Sequence, residues 1–248
     1  MVGKTIAMPC LAAAFVWAAV AERADAYTAT GDRVFPATLV LLQIAPGDEL
    51  YLNYSMLPLS GGTVGAPNRA SNFTATYGKT ITDRLGVYVE ETYTGIGQVG
   101  SGTLWGWQNL DDDIKYLAVD EPDHEFLLTL GLDREWGGTG AARVGASPSG
   151  ATTPQLYFGK GFGDLDLGYL RPLALTGFSG VQLSDSAPRP DVVSNGFVVE
   201  YSIPYLQSKV QSYNLPQLIR GLTPLAEFLF TSPLPLPREG VMARAPRR

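Results

Sequence analysis

At 248 residues with a formal net charge of −6 and a single cysteine, the chain cannot be a disulfide-stapled scaffold, and its acidity excludes nucleic-acid binding driven by backbone charge. Only 17% of the residues are charged, against 28 glycines, 18 prolines, 12 tyrosines and 10 phenylalanines. That balance describes strands with frequent turns better than helices and predicts an all-β chain.

Residues 1–26 read as a secretory signal peptide. Lys4 gives the positive start, Ile6 to Val20 form an apolar stretch broken only by Pro9, and Ala24-Asp25-Ala26 has the small-x-small form of a cleavage site. The apolar stretch is shorter than the roughly 20 residues a membrane-spanning helix needs. Cys10 lies inside it and leaves with the peptide. No later apolar run is long enough for such a helix, so a membrane span would have to be a closed β-barrel, which pairs every backbone group internally.

Period-two alternation then marks strands in chain order. After a turn at Pro46-Gly47-Asp48, Leu50, Leu52 and Tyr54 open the first strand. Phe73, Ala75 and Tyr77 lead to a tight turn at Asp83-Arg84, and Leu85, Val87 and Val89 run back, which makes the clearest hairpin. Residues 105–118 are a weaker strand. Phe126, Leu128, Leu130 and Leu132 alternate with Glu125, Leu127, Thr129, Gly131 and Asp133. Residues 155–162 and 164–175 follow as weaker strands, then Phe197, Val199, Tyr201 and Ile203 as a strong one, and residues 225–230 as a last weak one. Residues 60–70, 137–153 and 179–191 read as connections, and 206–222 as a short helix or long turn.

Alternation alone leaves open whether the apolar face packs inside a soluble sandwich or faces lipid around a polar lumen. Charged positions opposite the apolar face favour the lumen, and the candidates for lining it are Glu90, Glu125, Asp133 and Glu200. Tyr54, Tyr77, Tyr93, Trp105, Trp107, Trp136 and Tyr169 fall near strand ends, where an interfacial aromatic girdle would sit.

Several motifs carry the chain closer to one family. They are Tyr77-Gly78-Lys79 with Thr82-Asp83-Arg84-Leu85-Gly86, Gly106-Trp107-Gln108-Asn109 with Lys115-Tyr116, and Glu125-Phe126-Leu127-Leu128 running on to Gly137-Gly138-Thr139-Gly140. Pro154-Gln155-Leu156-Tyr157-Phe158-Gly159-Lys160-Gly161-Phe162-Gly163-Asp164 and Tyr169-Leu170-Arg171-Pro172 complete the set. Across about residues 34–231 this order resembles the outer-membrane β-barrels associated with the meta-pathway of phenol degradation. The resemblance implies an antiparallel up-and-down barrel in the outer membrane, acting as a passive channel or transporter for small molecules, aromatic or hydrophobic ones among them. Its implied partners are outer-membrane lipid, the barrel assembly machinery and a small solute. The alternative is a soluble periplasmic or secreted β-rich protein that binds a partner without transport.

After Phe230 the alternation stops and a Pro- and Arg-rich tail follows, where barrels of this kind usually close with an aromatic-ended strand. The expectation is a signal peptide at 1–26, a barrel domain at 27–231 and an irregular tail at 232–248, the barrel being incomplete through truncation or frame-shift.

No catalytic, cofactor or metal site is expected, and the chain is not read as an enzyme. His124 is the only histidine and reads as a surface turn residue. Asp111-Asp112-Asp113 and Asp120-Glu121-Pro122-Asp123 offer carboxylates to a hard cation but lack the spaced ligands of a calcium loop, so both read as solvated turns. Gly95-Ile96-Gly97-Gln98-Val99-Gly100 has the wrong spacing for a phosphate cradle and reads as a turn or loop.

Overall fold

A computed structural model describes residues 27–39, 41, 43–59, 63–186 and 189–234. The expected signal peptide and the part of the expected tail from residue 235 onward lie outside the described residues.

Twelve strands form: β1 Tyr27–Thr30, β2 Arg33–Pro36, β3 Glu49–Pro58, β4 Pro67–Thr82, β5 Leu85–Gln98, β6 Thr103–Trp107, β7 Leu110–Glu121, β8 Phe126–Trp136, β9 Ala151–Gly161, β10 Leu173–Ser184, β11 Val192–Tyr201 and β12 Leu225–Pro233. β1 and β2 pair as a separate hairpin. The other ten make one antiparallel up-and-down sheet, in the order β12-β11-β10-β9-β8-β7-β5-β4-β3 with β6 also on β5, and the sheet curls into a half-barrel. β6 and β7 are two parts of one path, since Tyr93–Gly97 of β5 pair with β6 and Leu85–Glu90 pair with β7.

The alternation decides which way each side chain points. On β3, Leu50, Leu52, Tyr54 and Met56 are exposed on the convex face, while Glu49, Tyr51, Asn53 and Ser55 are half-buried on the concave one. The same phase holds on β8, where Leu130 and Leu132 point outward and Leu127 and Thr129 are buried inward. On β11, Val199 is outward, and Val198 and Glu200 are inward and fully enclosed.

The predicted hairpin forms across β4 and β5, with Thr82 paired to Leu85 around Asp83-Arg84. Four readings are corrected. Residues 164–175 are mainly turn, and the strand lies later, at Leu173–Ser184, inside what reads as a connection, because Gly177 and Gly180 dilute the alternation of β10. Gly95-Ile96-Gly97-Gln98 is not a loop but the end of β5, held by β4 and β6. Asp111-Asp112-Asp113 is not a solvated turn but the start of β7, with Asp111 and Asp113 turned to the concave face. Pairing in β12 passes Thr231 to Ser232 and Pro233, which are matched to Val193 and Val192.

The least expected element is the chain before β3. The β1-β2 hairpin and the residues that follow enter the hollow of the half-barrel as a strap. Phe35, Leu41, Ile44 and Ala45 pack there against Leu127, Tyr157, Ala174 and Val198. Glycines on β9 leave the room: a Cβ at Gly159 would press on Phe35 and Ile44. The hollow is therefore apolar and filled at the end near the Asp83-Arg84 turn, and polar beyond it.

Candidate functional site

Two features occupy the concave side. The first is the latch that holds the strap. Arg33 is fully buried, its Nε donates to Glu125 Oε2 at 3.1 Å, and its Nη1 and Nη2 donate to the carbonyls of Pro172 and Arg171. Its guanidinium also lies 3.9 Å from the centre of the Tyr205 ring. Glu125 further accepts from the Tyr205 hydroxyl at 2.7 Å and the Gly163 N–H at 3.0 Å, which leaves neither charge without partners. Tyr205 sits in a short helical turn between β11 and β12, and burial, followed by its bond to Glu125, pushes its hydroxyl up to about 12.

The second feature is a cleft of about 200 Å³ between the strap and the strands. Glu90, Asp111, Asp113, Asp133, Lys115 and Gln43 all line it. Lys115 is its central cation. The ammonium donates to the Gln43 carbonyl at 2.9 Å, stands 3.6 Å from Asp113 Oδ2 and lies over the rings of Tyr88 and Tyr157 at 4.4 and 4.9 Å. Glu90 and Asp111 are shared with an adjoining, more open cleft of about 310 Å³ that also carries Asn72, Thr92, Thr94 and Glu135. Together they form a polar trough with carboxylates in excess.

The four expected lumen residues fall into both places. Glu90 and Asp133 line the cleft, and Glu90 accepts from the Thr76 hydroxyl at 2.6 Å. Glu200 is buried on the concave face, near enough to Arg33 to feel its charge. Glu125 stands before β8 rather than on it, in a left-handed turn with φ of 47°, and it closes the latch.

Sequence reasoning missed Arg33, Gln43, Asp111, Asp113 and Lys115. Asp111, Asp113 and Lys115 occupy alternate positions of one strand opposite Ile114 and Tyr116, a signal hidden by Asp112 on the convex side. Arg33 and Gln43 had no such signal, because their burial depends on a strap folding back over strands far away in sequence.

The exposed His124 lies in the turn Pro122–His124, 3.5 Å from Asp164. Lys160 donates to Asp164 and holds its carboxyl below the usual range. Among the described residues no group of three or more histidine, cysteine or acidic side chains is arranged to hold a metal ion.

On the convex face an aromatic belt crosses four strands. Tyr54 meets Phe73 at 4.7 Å, Phe73 meets Trp105 at 6.3 Å, and Tyr93 stacks on Trp105 at 5.5 Å and meets Trp107 at 4.9 Å. Compared with family models, curated proteins and solved structures, the chain matches none.

Proposed function

We propose that this chain is the greater part of an outer-membrane β-barrel that passes small molecules, related in kind to the meta-pathway barrels its motifs resemble. The observation that carries the reading is the inversion of the sheet: large apolar side chains on the convex face and carboxylates on the concave one. A soluble sandwich buries its apolar face, whereas a membrane barrel turns it to lipid. Strand length agrees, since the strands of the curled sheet other than β6 have 9 to 16 residues and a tilted transmembrane strand needs about 9–11. The convex aromatic belt fits an interfacial girdle.

Strand direction limits how such a barrel closes. With β6 and β7 as one path, successive neighbours are all antiparallel and β3 and β12 run the same way. Direct closure would pair them in parallel. An antiparallel seam requires an odd number of further strands between them, which gives the even total usual for these barrels.

The buried strap cluster favours a second reading, a soluble periplasmic β protein, because it supplies a true apolar core on the concave side. Fractionation separates the two. Expressed protein should appear in the outer membrane as a band whose gel mobility shifts on heating. Recovery in the soluble periplasm, stable without detergent, would overturn the barrel.

A further inference from the structure

The cleft contains polar groups that the protein itself leaves unanswered. Gln43 is only 4% exposed, yet neither its amide nitrogen nor its amide oxygen has a hydrogen-bond partner. Asp111 Oδ1 and Asp113 Oδ1 are also shut off from solvent without a donor. Buried polar groups are nearly always paired, so three such side chains lining one cavity mark a place where a partner is missing. Lys115 does not fill the need, because its ammonium is already committed to the Gln43 carbonyl, Asp113 and two rings.

The chemistry of the open groups defines the partner. Glu90, Asp111 and Asp133 surround one part of the cleft with carboxylates that call for N–H donors on a cation. The Gln43 amide needs an uncharged group that can both accept and donate. Tyr157 and Phe178 supply apolar surface in the same cleft, with ring centres 6.2 Å apart. A cavity of about 200 Å³ admits a molecule of only a few heavy atoms.

We propose that the cleft is a binding site for a small aliphatic primary amine with a neutral polar group at its other end, the ammonium held by Asp111, Asp133 and Glu90 and the neutral end by Gln43. The proposal names a solute class for the channel reading and rests on that reading only for the site's role in passage.

The test is calorimetric titration of detergent-solubilised, folded protein with 4-amino-1-butanol, 1,4-butanediol and butylamine. Aminobutanol should bind at millimolar concentration or better and at least tenfold more tightly than the diol. The paired change Asp111→Asn and Asp133→Asn, checked for retained β circular dichroism, should weaken aminobutanol at least tenfold. Gln43→Leu should keep amine binding and abolish the preference for aminobutanol over butylamine. Equal binding of diol and amine, undiminished binding by the carboxamide variant, or no binding to folded protein would each overturn the proposal. Because the titration involves no membrane, its failure leaves the fractionation result untouched, and the reverse also holds.

Discussion

The guanidinium of Arg33 and the carboxylate of Glu125 meet at 3.1 Å with both side chains cut off from solvent, tying β2 to the turn between β7 and β8. A buried pair of this kind contributes little net stability over an apolar pair of the same shape, but removing one partner strands the other charge, at a cost of about 3–5 kcal/mol. Arg33→Met should therefore release the strap. At about 1.4 kcal/mol per tenfold, maleimide labelling of a probe cysteine at Thr38→Cys, in a Cys10→Ser background, should speed up by roughly a hundredfold or more. Adding Glu125→Gln should recover much of the loss, because no buried charge is then left alone. Unchanged labelling in Arg33→Met would show that the latch does not hold the strap.

Gly161 lies beneath that latch. A Cβ there would collide with Glu125 Oε2 and stand 2.5 Å from Arg33 Nε, so Gly161→Ala has to displace the pair. Overfilling a packed interior typically costs about 1–3 kcal/mol. Gly102→Ala is the matched control, because nothing lies within 4 Å of its Cβ. Thermal unfolding should place Gly161→Ala well below the parent and Gly102→Ala close to it.

The third partner of the latch makes it sensitive to alkali. The Tyr205 hydroxyl is pushed up to about 12 by burial and by its bond to Glu125, above the ordinary tyrosine value of about 10. Between these values the unfolded chain has released a proton that the folded chain keeps, so stability falls as pH rises. The contribution is fully present below pH 10 and is lost on approach to 12. Labelling at Thr38→Cys, corrected for thiol ionisation with an unstructured cysteine peptide, should rise through that window. Tyr205→Phe should flatten the rise. An equal rise in both proteins would assign the alkaline effect elsewhere.

Much of the sheet is legible in the sequence where one face is uniformly apolar. Leu50-Leu52-Tyr54, Phe73-Ala75-Tyr77 and Leu128-Leu130-Leu132 each display the period of two, and each lies in a strand. Legibility fails where that contrast is lost. Glycines blur β10, and in β7 the acidic run at its start looks like a turn until its neighbours show that alternate carboxylates face inward. The strap was invisible for a different reason. Nothing local to Arg33, Phe35 or Gln43 indicates burial, which comes from contacts with β8 to β11 more than ninety residues away. Half of the candidate site therefore follows from strand phase, as with Glu90 and Asp133, and half only from tertiary folding.

The convex face provides the sharpest test of the membrane reading. Leu132 is near the middle of β8 and 49% exposed, and Trp136 is at the strand's end on the same face. If lipid covers this face, an arginine costs about 2–4 kcal/mol near the bilayer midplane and about 0–1 near the interface. Leu132→Arg should then sharply lower the yield of heat-modifiable protein in the outer membrane, and Trp136→Arg should lower it far less. If water covers it, neither substitution should change stability by more than about 0.5 kcal/mol, since an exposed side chain touches little that it could disturb. Leu132→Arg would in that case improve solubility without detergent. Equal tolerance of both arginines would therefore remove lipid from the convex face and leave the soluble reading in its place.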